Sequence, residues 1–131
     1  MADLVGIVLV SHSEQLAHGL RELVLQVATP DVAVEVAGGT DDGSLGTSYD
    51  RISAAIDRAD RGGGVIVLTD LGSAVLTART VLEDRADEHP PVLVDAPFVE
   101  GAVAAAVLAG TGADLDTVVA AATEARDARK F

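Results

Sequence analysis

The sequence predicts an α/β fold: a doubly wound, mainly parallel sheet with helices on both faces. Two observations support this. Short β-branched runs alternate along the chain with segments whose apolar residues recur at helical spacing. The strand-like runs are also almost entirely apolar, as in Val65-Ile66-Val67-Leu68, and a parallel sheet covered on both faces requires such strands.

Four strands are predicted, each a short run bounded by Gly, Pro, Asp or Ser: Leu4 to Val10, Val32 to Ala37, Val65 to Thr69 and Val92 to Val94. Three helices are predicted between them from apolar residues three or four positions apart, in the groups Leu16, Leu20, Leu23, Val24 and Val27; Ile52, Ala55, Ile56 and Ala59; and Val75, Ala78, Val81 and Leu82.

Two further helices are predicted after Pro97, over Phe98 to Ala109 and Leu115 to Ala125, with the turn-forming Gly110-Thr111-Gly112 between them. No linker, internal repeat or block of charge divides the chain, so we expect residues 1–131 to form one domain. A flavodoxin-like strand order is the first expectation.

Composition excludes several functional classes. The chain has 131 residues, is 49% apolar and only 2% aromatic, and carries a formal net charge of −12. A charge of this sign repels nucleic acid, and stacking platforms for single strands need aromatic side chains. The chain has no cysteine, no apolar run of membrane-spanning length and no basic start typical of a signal peptide. We therefore expect a cytoplasmic protein with neither a nucleic-acid nor a membrane partner.

His12 is the leading candidate for chemistry because it lies where the first apolar run stops and the first predicted helix begins. In α/β proteins the carboxyl ends of the strands open onto a crevice, and a helix that starts there presents unpaired backbone N–H groups to an anion. Ser13 is the expected N-cap of this helix. A histidine at this point can carry a phosphoryl group, although a lone histidine can also be an ordinary hydrogen-bonded side chain.

Asp70 repeats this arrangement after the third strand, where it is followed by Gly72 and Ser73 at the start of another helix. We expect Asp70 to lie beside His12. A carboxylate that accepts a hydrogen bond from Nδ1 fixes the imidazole tautomer and leaves Nε2 free to attack. The alternative for Asp70 is a helix N-cap, and the alternative for Ser73 is a first-turn residue.

The loop from Ala37 to Ser48 is long for a strand-to-helix connection and rich in glycine and hydroxyl groups, which indicates a functional loop or a solvated turn on the same rim. His18 is expected to be exposed on the first helix and His89 to lie in a loop, and neither is expected to be catalytic. The three histidines show no metal-ligand spacing, so no metal site is expected. The phosphate-binding motifs of nucleotide-dependent enzymes are missing too, which disfavours direct ATP hydrolysis.

Four segments together resemble the phosphotransfer subunit of phosphoenolpyruvate-dependent dihydroxyacetone kinase: Gly6 to Ser13, Ala37 to Ser48, Leu68 to Ala74 and Ala96 to Ala102. The resemblance spans nearly the whole chain. The chain is more distantly similar to the IIA domain of mannose-family sugar phosphotransferase systems, which have Thr-His-Gly at the histidine. Ser11-His12-Ser13 favours the kinase subunit.

The resemblance implies that His12 takes a phosphoryl group from the phosphocarrier protein HPr at Nε2 and passes it to ADP on a nucleotide-binding kinase subunit. The regenerated ATP then phosphorylates dihydroxyacetone on a third subunit. Asp70 would orient His12, while Ser13, Gly72 and Ser73 would contact the phosphate. Magnesium would belong to the nucleotide on the partner, so this chain would bind no cofactor. A homodimer is implied, and the upstream carriers would be separate proteins because no HPr-like or enzyme I-like segment follows.

Three other functions are alternatives for this sequence. A IIA component of a mannose-family sugar transporter would use the same phosphohistidine and pass the group to a IIB domain. A receiver domain would carry its phosphate on Asp70, but Ser11-His12-Ser13 stands where the acidic metal ligands should be, and the expected lysine is missing. A ligand-binding module without catalysis stays open, because one fold hosts many functions.

Overall fold

The computed structural model describes residues 3–131 and contains a four-stranded sheet between two layers of helices. The strands are β1 (Gly6–Ser11), β2 (Val34–Gly38), β3 (Val65–Thr69) and β4 (Val92–Leu93), and the helices are α1 (Glu14–Leu25), α2 (Tyr49–Ala59), α3 (Gly72–Asp84), α4 (Phe98–Gly110) and α5 (Leu115–Glu124). A short 3₁₀ turn, Ala125–Asp127, follows α5.

All strand pairs are parallel, and the order across the sheet is β2-β1-β3-β4. The predicted doubly wound, flavodoxin-like α/β fold is therefore confirmed. All nine predicted elements are present, with boundaries that differ by a few residues: β1 begins at Gly6 rather than Leu4, and β2 at Val34 rather than Val32. Both strands begin later because ladder pairing starts only where a neighbouring strand lies alongside.

Strand β1 is the centre of the core. Every residue from Gly6 to Ser11 is buried, and successive side chains enter opposite layers. Ile7 and Leu9 pack with residues of α1, α4 and α5, whereas Val8 and Val10 pack with residues of α2 and α3. This two-sided burial explains why the strand has almost no polar residues.

Strand β2 ends against the start of α1 at Gly38. A Cβ atom at this position would lie 2.7 Å from Glu14 Cα and 2.8 Å from Ala17 Cβ. Glycine thus permits the close approach that seats the first turn of α1 on the end of β2. The residues just before α1 are held at the carboxyl edge of the sheet as a result.

Candidate phosphoryl-transfer site

His12 lies between the end of β1 and the start of α1, and its side chain is 22% exposed. The N-cap of α1 is Ser13, as predicted, because its hydroxyl accepts a 3.2 Å hydrogen bond from the Leu16 N–H. The residue before an N-cap is outside the helix, so His12 lies in the bend that joins β1 to α1. Its ring is partly accessible to solvent while its backbone is anchored.

Asp70 meets His12 because β1 and β3 are neighbours. The ladder pairs Val10 with Thr69, and the Asp70 N–H continues it by donating to the Val10 carbonyl at 3.1 Å. The Asp70 carboxylate then contacts His12 twice: Oδ1 lies 2.9 Å from Nδ1, and Oδ2 accepts the His12 backbone N–H at 3.0 Å. His12 and Asp70, which are 58 positions apart in the chain, thus form a hydrogen-bonded pair.

The Asp70 carboxylate stays ionised despite its partial burial. Burial raises the pKa of this carboxyl, but hydrogen bonds from the His12 backbone and ring, the Leu71 N–H and the Ser11 hydroxyl outweigh it, and the net pKa lies below the ordinary 3.8. An ionised carboxylate can only accept hydrogen bonds, so Nδ1 must carry the proton in the 2.9 Å contact. In the neutral imidazole, the Nε2 lone pair is therefore free of a proton.

Ser73, the second residue of α3, reaches the other side of the ring. Its Oγ lies 2.6 Å from His12 Nε2, and in the neutral ring, whose proton is on Nδ1, the hydroxyl donates to Nε2. Both Ser73 and its neighbour Gly72 are exposed. Helix α3 has no side-chain cap, so its first N–H groups lie at the same rim as the ring without an intrahelical acceptor.

Ser13, which was predicted to contact the phosphate, caps helix α1 in this structure. Its hydroxyl accepts the Leu16 N–H at 3.2 Å, and its own N–H donates to Ser11 Oγ at 3.0 Å. The hydroxyl proton is not used in either bond. The structure therefore brings His12, Asp70 and Ser73 into direct contact, while Ser13 and Gly72 flank them.

Ser11 was not singled out from the sequence, yet it holds the site together. It is fully buried, donates to Asp70 Oδ2 at 2.9 Å and accepts the Ser13 N–H at 3.0 Å. The hydroxyl thereby links the carboxylate to the N-cap residue of α1. A polar residue that ends an otherwise apolar buried strand, directly before the candidate histidine, is the signal that could have identified it.

The glycine-rich loop from Ala37 to Ser48 lies at the same edge of the sheet as His12, as predicted. Its Gly39 N–H donates to the Ser11 carbonyl at 3.1 Å, and its Gly46 N–H donates to the His12 carbonyl at 2.8 Å. Thr47 Oγ1 lies 2.8 Å from Thr77 Oγ1 of α3, and Ser48 caps α2 through the Arg51 N–H. The loop therefore supports the His12 backbone.

The other two histidines lie apart from the site. His18 is exposed on α1 with its Nε2 4.0 Å from Glu14 Oε1, and His89 is exposed in the connection before β4. Over residues 3–131, no group of three or more His, Cys, Asp or Glu side chains could hold a metal ion. In the same range, no helix has the length and apolar character needed to cross a membrane.

A family model described as the PTS system fructose IIA component matches residues 6–119, which include every element from β1 to the first half of α5. The chain belongs to this family.

The chain is also similar to individual proteins of known description. The phosphoryl donor subunit of PEP-dependent dihydroxyacetone kinase 1 from Listeria innocua is 41% identical over 108 residues, covering 81% of this chain and 82% of that protein. The phosphoryl donor subunit from Escherichia coli is 39% identical over 132 residues, covering 97% of this chain but only 28% of that longer protein. The resemblance to a dihydroxyacetone kinase phosphotransfer subunit, predicted from the sequence, is confirmed.

Two solved structures are also similar. The crystal structure of a protein of unknown function is 37% identical, with a TM-score of 0.83, and covers 94% of this chain and 95% of that one. A sigma-54 interaction domain protein from Enterococcus faecalis is 14% identical with a TM-score of 0.64 over 90% of this chain and 87% of that one, which shows a shared fold alone.

Proposed function

We propose that this chain is a phosphohistidine carrier that accepts a phosphoryl group from HPr on His12 Nε2 and passes it to ADP bound on a kinase subunit, which then phosphorylates dihydroxyacetone. The observation that carries the proposal is the 2.9 Å contact between His12 Nδ1 and an ionised Asp70, with Nε2 in an exposed contact with the Ser73 hydroxyl. The names of the relatives supply the substrate class, because they describe phosphoryl donor subunits of dihydroxyacetone kinases.

The chemistry follows from the tautomer. The Nε2 lone pair attacks phosphorus as the bond between phosphorus and the donor nitrogen breaks, and the donor keeps that electron pair. The His12 ring keeps its Nδ1 proton and gains positive charge, which the adjacent Asp70 carboxylate stabilises. In the second step an ADP oxygen attacks phosphorus, and the Nε2–phosphorus electron pair returns to the ring.

The groups around Nε2 suit a phosphoryl group. The Ser73 hydroxyl, which donates to Nε2 in the free protein, can donate to a phosphoryl oxygen instead once Nε2 is occupied. The first N–H groups of α3, at Gly72 and Ser73, favour a negative charge at this rim. The Ser13 hydroxyl proton is available for a third contact.

Magnesium fits the nucleotide of the partner better than it fits this site. Both oxygens of Asp70 accept hydrogen bonds, Oδ1 from the His12 ring and the Leu71 N–H, and Oδ2 from the His12 N–H and the Ser11 hydroxyl. A carboxylate occupied in this way is a poor ligand for Mg²⁺, which needs open oxygen positions. We therefore propose that this chain binds no cofactor itself. From the resemblance to the kinase subunit we also propose that it is a cytoplasmic homodimer.

A IIA component of sugar uptake would use the same site chemistry and is the alternative. It would differ only in the protein that takes the phosphoryl group. A function in dihydroxyacetone phosphorylation is favoured because the relatives named above are described as donor subunits of that kinase.

The test is an intact-mass measurement after incubation with phosphoenolpyruvate, enzyme I and HPr. We expect an acid-labile phosphoryl adduct on the wild type and on the matched controls His18→Ala and His89→Ala, but none on His12→Ala. Addition of the ADP-loaded kinase subunit should then remove the adduct and form ATP. A wild type that gains no adduct from competent donors contradicts the carrier function, and a stable adduct that only a IIB domain removes favours sugar uptake.

A further inference from the structure

Arginine side chains line the outer edge of β2, the strand at one side of the sheet. Alternate residues of this strand accept guanidinium hydrogen bonds on their backbone carbonyls. The pairs are Arg21 with Val34 at 2.7 Å, Arg58 with Val36 at 3.5 Å and Arg51 with Gly38 at 2.9 Å. These contacts satisfy carbonyl groups that an edge strand would otherwise leave to solvent.

Arg51 differs from the other two arginines because its contacts extend beyond the strand. It lies in the first turn of α2, where Nη1 donates to the Gly38 carbonyl and Nη2 donates to the Asp41 carbonyl at 3.5 Å. The same guanidinium lies 3.7 Å from Glu14 Oε2 and 3.8 Å from Asp41 Oδ1. One side chain of α2 thus contacts the end of β2, the glycine-rich loop and the first residue of α1.

The glycine-rich loop holds the His12 backbone and depends on contacts outside itself for its position. Its Gly46 N–H donates to the His12 carbonyl at 2.8 Å. Gly39, Gly43 and Gly46 all have positive φ, at +74°, +85° and +138°, and glycine moves easily among such conformations. A side chain that ties the loop to the sheet and to α1 therefore helps to keep Gly46 on His12.

The charge of Arg51 favours a short distance between the loop and α1. Glu14 belongs to α1 and Asp41 to the loop, so without a cation these two carboxylates repel each other. The guanidinium lies within 4 Å of both and attracts them instead. Arg51 is 33% exposed, and ion pairs with this much solvent are individually weak, so they act together with its hydrogen bonds to the Gly38 and Asp41 carbonyls.

We propose that Arg51 is a positioning residue for phosphoryl transfer. It holds the glycine-rich loop against β2 and α1, and the loop holds the His12 carbonyl, while Asp70 accepts the His12 N–H at 3.0 Å. Both backbone groups of the histidine are then fixed, and Nε2 stays aligned with the incoming phosphorus. Arg51 acts through the loop rather than on the ring. The proposal rests on the proposed function of His12.

The experiment measures phosphorylation of His12 in Arg51→Ala, in Arg51→Lys and in the matched control Arg58→Ala. Arg58 lies on the same helix and its substitution removes the same charge, but its partners Glu35 and Val36 belong to the strand. The two donors are HPr, phosphorylated by enzyme I and phosphoenolpyruvate, and phosphoramidate, which is too small to need a protein surface. Hydrogen exchange of the Gly46 N–H reports on the loop, and circular dichroism monitors the fold.

We expect kcat of Arg51→Ala with HPr to fall about ten- to a hundredfold while KM changes little, because a misplaced nucleophile slows the transfer step without weakening donor binding. Phosphoramidate should show a loss of similar size, and the Gly46 N–H should exchange faster. Arg51→Lys keeps the charge but lacks the planar guanidinium, so it should recover part of the rate. Arg58→Ala should match the wild type in every measurement.

Three results would overturn the positioning role. They are a rate for Arg51→Ala equal to that of Arg58→Ala, a loss with HPr that phosphoramidate does not show, and an unchanged exchange rate of the Gly46 N–H. If Arg51→Ala does not fold, Arg51→Lys is held to the same three comparisons. In all of these the wild type still forms the His12 adduct, so the carrier function stands. A wild type that forms no adduct with either donor overturns the carrier function and the positioning role with it.

Discussion

The Asp70 carboxylate contacts both the ring and the backbone of His12, with Oδ1 2.9 Å from the ring Nδ1 and Oδ2 3.0 Å from the backbone N–H. One carboxylate therefore both positions the His12 main chain and selects the tautomer of the His12 ring. The Ser11 hydroxyl, at 2.9 Å from Oδ2, keeps the carboxylate in this orientation. The consequences of this arrangement can be measured.

Asp70→Asn should leave the domain folded but slow phosphorylation of His12 by HPr on the order of 10²–10⁴-fold. An amide has one acceptor oxygen and one NH₂ group, so it cannot accept from both the ring and the backbone of His12. The rate is measured from the growth of the phosphoryl adduct by mass, and circular dichroism monitors the fold. A wild-type rate in this variant would remove Asp70 from the mechanism.

Ser11→Ala should destabilise the protein by about 1–3 kcal/mol, because the Ser13 N–H loses its acceptor and Asp70 loses a donor in a buried setting. The same change should raise the pKa of Asp70 toward its ordinary value and slow transfer. Denaturant unfolding gives the stability. Ser11→Thr, which keeps the hydroxyl, should recover most of the rate.

The matched control for Ser11 is Ser53→Ala on α2, a half-buried serine without a hydrogen bond to the site. It should change neither stability nor transfer appreciably. If Ser11→Ala behaved like Ser53→Ala, the buried hydroxyl would not be a positioning group.

Gly38→Ala should destabilise the protein by roughly 1–3 kcal/mol and slow transfer, because the new Cβ would overlap Glu14 Cα and Ala17 Cβ and displace the start of α1. The control is Gly19→Ala in the middle of α1, where an added Cβ meets nothing within 4 Å. That variant should be more stable by about 0.5–1 kcal/mol. Thermal unfolding and the transfer rate separate the two, and a Gly38→Ala protein as stable and active as the wild type would contradict the close-approach argument.

The stability of the fold should depend on pH through Asp70. Because the folded-state pKa of Asp70 lies below the unfolded value, the unfolded chain binds more protons between the two values, and the free energy of unfolding rises with pH there. The contribution is complete above the unfolded pKa and is lost as the pH falls through the folded one.

Unfolding of the wild type and Asp70→Asn from pH 7 to pH 2 measures this contribution, since other carboxylates titrate equally in both proteins. The difference in the free energy of unfolding should be constant near neutral pH and shrink in the acid range below the ordinary carboxyl pKa. A difference that stayed constant to pH 2 would mean that the native structure does not favour the ionised form of Asp70.

Much of the architecture could be predicted from local patterns. The alternation of β-branched runs with helical spacing predicted the strands and helices, and the serine placed before the first helical run predicted the cap of α1. Boundaries differed by a few residues, because a strand such as β2 begins where it pairs with a neighbouring strand rather than where its apolar run starts.

Some residues of the candidate site could be predicted from the sequence and others could not. His12 and Asp70 could be selected because each follows a buried strand, and the carboxyl ends of parallel strands share one edge of the sheet. Ser11 could not be selected, because a serine at the end of a strand acquires its role only when a carboxylate from another strand meets it.

Periodicity, composition and turn residues thus specify the elements and the residue types at their ends, because these depend on contacts between near neighbours in the chain. The pairing of Val10 with Thr69 and the contact of the Ser11 hydroxyl with Asp70 depend on segments tens of residues apart. Such contacts form only when the whole core packs, and no local pattern encodes them.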